Sequence, residues 1–200
     1  ESAVTTGIKP RGKMLQNQEP QKEEPKKEEP KIEVRKPSEK VSVLARLVPP
    51  HTKKSRVVIS SDVKRVVKEV KILHAICFEP YGLYKAAHAM HHSQIDDKDP
   101  LDFFVTFDRQ IVINPKITRH SNYFVDSEEG CTTFPDKEQI IVPRWRKVEV
   151  DYLTIMVDPN DENKFKLSSM RHVDLKGRDA WVLQHEVDHG QAKYIYPFNK

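Results

Sequence analysis

Near its C-terminus the sequence reads Gln184-His185-Glu186-Val187-Asp188-His189. Histidines four apart share one face of a helix, so His185 and His189 can hold one cation between them. Glu186 sits beside them, placed to handle a proton from a water that the cation activates. Nine histidines in the chain make a chance pair easy. Yet Ala180, Leu183 and Val187 line one face of this segment, while Trp181 and Val182 fall elsewhere. Apolar groups on most sides predict a helix buried within the domain. Two buried imidazoles and two buried acids there need partners.

A catalytic cation takes a third protein ligand. After His189 the chain holds no further His, Cys, Asp or Glu, so that ligand comes from upstream. Cys131, in Glu128-Glu129-Gly130-Cys131-Thr132-Thr133, is the best candidate. A bound cation would keep its thiol as thiolate. The plainer reading of a lone Cys is a small core residue. Gly130 before it would let the backbone come close, at a site or in any turn.

These segments together resemble the peptide deformylase family, whose three motifs read roughly GxGxAAxQ, EGCLS and HExDH. His185-Glu186-Val187-Asp188-His189 matches the third. Glu129-Gly130-Cys131-Thr132-Thr133 matches the second, with Thr-Thr in place of Leu-Ser. The flanks agree: Val112-Ile113-Asn114-Pro115 before the Cys motif, Val142-Pro143-Arg144 after it, and Leu175-Lys176-Gly177 ahead of the helix. The resemblance runs from about Arg46 to Phe198. The first motif is altered and fits in two registers. One places Gly82, Ala86 and Ala87 at the family's Gly and Ala-Ala, with Tyr84 at the second Gly and Ala89 at the Gln. The other keeps Gln94 within Ser93-Gln94-Ile95, with Ala87 and Ala89 at the glycines and His91-His92 at Ala-Ala.

The resemblance implies an α+β fold of the peptide deformylase kind, with mixed antiparallel sheets packed around the buried C-terminal helix. It implies Cys131, His185 and His189 as ligands of one divalent ion, Fe(II) in the family's natural form, replaceable by Zn(II) or Ni(II). Glu186 would be the acid/base. The backbone N–H of Thr132, with Gln94, would face the oxyanion, and losing one such donor costs about 10²–10³ in rate. Asp188 would stand behind the ligands, paired with Arg144. The substrates implied are N-formylmethionyl peptides of nascent chains. A second reading makes the chain a deformylase fold reused as a structural or interaction subunit of a larger assembly, such as a ribosome or virion. A thermolysin-type peptidase is the third, and the missing downstream ligand counts against it.

The elements that must position these residues are partly readable. Ser60-Ser61-Asp62 offers a helix start, and Val63, Val66, Val67, Val70, Ile72, Leu73 and Ile76 follow at close to helical spacing. That predicts a helix over 62–78. Residues 81–100 read as loop or a second helical piece. Phe103-Phe104-Val105 and Ile111-Val112-Ile113 read as strands, with Asn114-Pro115 ending the second. Ile140-Ile141-Val142, then the alternation Val148, Val150, Tyr152, are further strands. A turn at Pro159-Asn160-Asp161 precedes a strand at Phe165-Lys166-Leu167. A helix is expected over 176–194. His74, His120 and His172 read as surface or locally satisfied. His88, His91 and His92 read as an exposed polar stretch, and Cys77 as core.

All eight Phe, six Tyr and two Trp lie at or after Phe78, so the core is built mainly from the second half. Residues 1–40 carry Pro20, Pro25 and Pro30 inside Lys/Glu runs. Such composition reads as a solvated or partner-bound arm, leaving 41–200 as one domain. A net charge of +4 from interspersed Lys and Glu makes no case for nucleic-acid binding. No apolar run reaches membrane-span length. Two cysteines are too few for a disulfide framework and point to a reducing compartment, cytoplasm or organelle matrix. The start at Glu1, and Lys9, Arg11 and Lys13 without an acid over 2–18, resemble a processed organellar segment.

Overall fold

A computed structural model describes residues 47–78 and 87–198. The arm over 1–40, and Gly82, Tyr84 and Ala86 of the first-motif register, lie outside the described residues. Among the described residues no helix is long and apolar enough to cross a membrane.

Helix α1 spans Val63–Phe78. A short 3-10 turn at Ser60–Asp62 leads into it. There the Asp62 carboxylate accepts the Ile59 N–H at 2.9 Å and both Arg56 terminal nitrogens at 2.8 and 2.9 Å. The apolar stripe Val63, Val66, Val70, Leu73, Ile76 and Cys77 is the buried face. Cys77 is core, as expected, and burial pushes its thiol up to about 12.

The main sheet is antiparallel, in the order β1 (Ala89–His91), β2 (Phe103–Thr106), β3 (Ile111–His120), β6 (Lys147–Leu153), β9 (Arg171–Lys176). Two hairpins complete the β structure: β4 (Phe124–Glu129) with β5 (Ile140–Trp145), and β7 (Ile155–Asp158) with β8 (Asp161–Leu167). Alternation along the strands divides the core. Met90, Phe103, Val105 and Ile113 pack with α1. Ala89, Phe104, Val112, Val148 and Val150 pack with helix α2, Arg178–Gly190. Phe103 and Phe104 are fully buried on opposite faces, each contributing roughly 1.5–3 kcal/mol through burial. The fold is α+β.

Several expectations are corrected. The second strand does not end at Asn114-Pro115 but continues to His120. Asn114 takes φ 51 in a bulge, and its amide bonds the Val58 backbone both ways, at 2.8 and 2.9 Å. Pro115, which lacks an N–H, tolerates that break in the ladder. The described part of 81–100 holds strand β1 and a 3-10 turn at His92–Gln94, not a second helical piece. Helix α2 is shorter than 176–194, and its first residues, Arg178 and Asp179, are exposed. From Ala180 to Gly190 every residue is buried or half-buried, so the helix is enclosed by the domain as expected.

Candidate metal centre

Strand β9 delivers α2 to its place. The two elements are separated by Gly177 alone, whose φ of 58 turns the chain where an L side chain would be strained. Ala180 and Leu183 then seat the helix on Phe104 and Val112. The Gln184 amide clasps the Trp145 backbone, accepting its N–H at 3.0 Å and donating to its carbonyl at 2.9 Å. That bond ties α2 to the β4–β5 hairpin, and Cys131 follows the end of β4.

The three expected ligands converge. Cys131 Sγ is 3.3 Å from His189 Nε2, and the two imidazole Nε2 atoms are 3.2 Å apart. All three donor atoms lie within 4.8 Å of one another. A tetrahedral ion with two nitrogens at about 2.0–2.1 Å and one sulfur at about 2.3 Å separates its ligands by roughly 3.3–3.7 Å. The cluster has that size. The other such group among the described residues, Glu149, His172 and Asp174, lies on the surface.

Behind the ligands runs a chain of ion pairs. His185 Nδ1 donates to Glu129 Oε2 at 2.9 Å, leaving Nε2 free to face the cluster. Glu129 accepts Arg144 Nε and Nη2, both at 2.8 Å, and Arg144 Nη1 reaches Asp188 Oδ2 at 2.5 Å. The Arg144–Asp188 pair was expected. The Arg144–Glu129–His185 link was not, although Glu129 stands inside the Cys motif. Arg144 pairs Val125 across the hairpin, so it shares a face with Glu129 four residues further along β4, and the long side chains close the gap.

The electrostatics fit a cation. Burial works against a charged His185, yet hydrogen bonds to Cys131 and Glu129 hold its pKa up at about 10. Burial alone would raise Glu129, but Arg144 and His185 hold it at about 2. His189 is pushed well below the usual imidazole range by burial and by facing His185. Charge is thus favoured on His185 and disfavoured on His189, so a single positive charge fits where the donors meet. Glu186, 4% exposed, is raised to about 7 by burial. Its Oε2 and His189 Nδ1 are buried with no hydrogen-bond partner among the described residues. An orphaned carboxylate oxygen near a cysteine sulfur and two imidazoles suits a borderline-soft divalent ion with a coordinated water.

Gln94 also reaches the site. Its Nε2 donates to Thr132 Oγ1 at 2.6 Å and Thr133 Oγ1 at 3.1 Å. Ala89, the residue at the Gln position in the other register, packs with Phe104 instead. His91 and His92 correct the exposed-stretch expectation, since both are fully buried. His92 Nε2 donates to Glu69 at 2.5 Å, and its Nδ1 accepts the Leu101 N–H at 2.9 Å. His91 Nε2 faces Asp102 Oδ1 at 3.3 Å, and its backbone N–H donates to Gln94 Oε1 at 2.9 Å. His88 is half-buried against Arg178. Gly130 needs little room: a Cβ there would meet only Gln139 Cγ at 3.5 Å.

Gly190 is the tight glycine. A Cβ there would stand 2.7 Å from Asp102 Oδ1 and 3.2 Å from His91 Nε2. Gly190→Ala is expected to cost about 1–3 kcal/mol of stability, read as a drop in Tm. An unchanged Tm would show that Asp102 and His91 yield freely.

Residues 81–197 match the family described as polypeptide deformylase. The chain belongs to that family. Among its relatives is the peptide deformylase of Rickettsia prowazekii (strain Madrid E), 32% identical over 101 residues, which are 50% of this chain and 47% of that one. The peptide deformylase of Brachyspira hyodysenteriae is 29% identical over 108 residues, 54% of this chain and 49% of the relative. The match thus spans about half the length of these curated relatives. The crystal structure of the deformylase from the Vibrio parahaemolyticus bacteriophage VP16T, in complex with actinonin, superposes with a TM-score of 0.55 at 25% identity. It covers 74% of this chain and 95% of that one. The peptide deformylase from Thermus thermophilus gives a TM-score of 0.54 at 26% identity, over 74% and 80%. Deformylases are metal-dependent, and the Cys131–His185–His189 group is the buried candidate here.

Proposed function

We propose that the chain is a metal-dependent deformylase that removes the formyl group from N-formylmethionyl peptides, releasing formate and a free N-terminal Met. The convergence of Cys131, His185 and His189 beside an unpartnered Glu186 oxygen carries this reading. A divalent cation held there, Fe(II) first, with Zn(II) or Ni(II) as replacements, would polarise the formyl carbonyl and ease ionisation of water.

The chain's own side chains do the rest. Glu186, buried and with its pKa raised, takes a proton from the attacking water. It passes that proton to the amine nitrogen as the C–N bond breaks. The Glu129–Arg144–Asp188 chain fixes the His185 ring, so that Nε2 stays turned to the centre. The Thr132 backbone N–H and the Gln94–Thr132 pair, next to Cys131, face the developing oxyanion. Val182, one helical turn before Glu186, lines a cavity of about 1030 Å³ with Phe104, Val112 and Leu183. None of Cys131, His185, Glu186 and His189 lines that cavity, so it serves the substrate only through the Val182 end of α2.

A reducing compartment would keep Cys131 as a ligand, and the arm over 1–40 would serve docking to a large assembly such as the ribosome. The competing reading, a fold kept only as a subunit of a larger assembly, draws on the altered first motif. Gln94 beside Thr132 weakens that motive. Protein purified anaerobically and carrying about one divalent cation per chain is expected to release formate from a formyl-Met tripeptide. No release with the site filled rules the deformylase out.

A further inference from the structure

In the Cys motif this chain carries a hydroxyl, on Thr132, where the family pattern has Leu. That hydroxyl changes what Gln94 can do. The orientation of the Gln94 amide is set on one side, because its Oε1 accepts the His91 N–H at 2.9 Å. Its Nε2 must then point at the threonines. Both amide protons are engaged there, on Thr132 Oγ1 at 2.6 Å and Thr133 Oγ1 at 3.1 Å. For Gln94 to donate to an oxyanion itself, one of these bonds would have to break. The side chain is also 4% exposed, with little freedom to swing. Thr132 Oγ1, in contrast, accepts from Gln94 and still owns a proton. Among the described residues that proton has no acceptor. A hydroxyl that accepts a hydrogen bond becomes a better donor.

We infer that the Thr132 side-chain hydroxyl, beside Cys131, is itself an oxyanion donor, and that Gln94 is a positioning residue that orients and polarises it. The inference rests on the deformylase reading and adds a residue to it. It also gives the Thr-for-Leu exchange a chemical role. His91 belongs to the same device, since its backbone N–H holds the Gln94 amide the right way round.

The test uses the full chain loaded with cobalt(II), titrated with acetohydroxamate and followed by visible absorption. The probe's carbonyl oxygen stands in for the developing oxyanion. Formate release from a formyl-Met tripeptide is measured alongside. Thr132→Val keeps the shape and removes the hydroxyl. It is expected to weaken acetohydroxamate about tenfold and lower kcat about 10²-fold, with KM changed less than about threefold. Thr132→Ser restores both, to within about threefold. Adding Gln94→Ala to Thr132→Val changes kcat by less than about threefold, because Gln94 has lost the group it acts through. A Thr132→Val protein that binds the probe and turns over like the wild type, or faster because the Gln94 amide is released, overturns the inference. The two readings fail differently. Probe affinity that depends on Thr132, without formate release, sinks the deformylase and keeps the donor. Formate release indifferent to the hydroxyl does the reverse.

Discussion

Glu186→Gln is expected to lower kcat for formate release by about 10³–10⁴-fold while leaving the cation bound. The substitution keeps size and burial and removes the carboxylate that accepts the proton. Glu186 makes no hydrogen bond through Oε2 among the described residues, so nothing structural hangs on that oxygen. Burial raises its pKa to about 7, and a buried carboxylate without a partner is a cost to folding. The variant should therefore be at least as stable as the wild type. Kinetics, metal content and Tm on one preparation separate the possibilities. A large loss of kcat with unchanged metal and equal or higher Tm agrees with a proton-transfer role. Near-normal turnover removes Glu186 from the mechanism.

Cys131→Ala should abolish tight metal binding and, with it, activity. Two imidazoles 3.2 Å apart remain, but the thiolate that adds charge and a third donor is gone. Even the loss of a group behind the ligands typically costs 10–100-fold in affinity, so at least about 10²-fold is expected here. Stability follows by mass action: a ligand that binds only the folded state adds about 2.7 kcal/mol at 100 times its Kd. The wild type should gain Tm on metal addition and lose it to a chelator. The Cys131→Ala variant should respond to neither. If it keeps one cation per chain with native affinity, another group supplies the third ligand.

The convergence of the three candidate ligands was legible because their signals are local. An i, i+4 histidine pair needs only a helix, and Cys131 stands inside the recognisable Glu129-Gly130-Cys131 motif. Helix α1 was legible for a similar reason, its Val-rich stripe being regular over four turns. Between the helices the apolar strands β2, β3, β5, β6 and β8 were legible too, but β1, β4, β7 and β9 were not. Strand β4 inverts the usual pattern: Phe124 is 60% exposed while Ser127 and Glu129 are buried. Hydrophobic alternation cannot find such a strand, because its inner face serves the site and not the core. Strand β9 presents only Val173 and Leu175 as apolar groups, and β7 is four residues long with Met156 and Val157 exposed, so neither carries a long core-facing alternation. His91 and His92 read as surface because polar residues usually are. Each is inside because distant chain supplies partners, Asp102 to one and Glu69 with the Leu101 N–H to the other. Asn114-Pro115 carries a strong turn signal, but here it marks a bulge held by Val58. The Gln94–Thr132 bond joins segments 38 residues apart, and no local pattern announces it.

Cys131, His185 and His189 are expected to ligate one cation together. X-ray absorption at the metal edge, on anaerobically purified protein with its own metal, reads this directly. One sulfur at about 2.3 Å and two nitrogens at about 2.0–2.1 Å are expected, with the sulfur lost in Cys131→Ala. A first shell of nitrogen and oxygen alone would remove Cys131 as a ligand and the proposed centre with it.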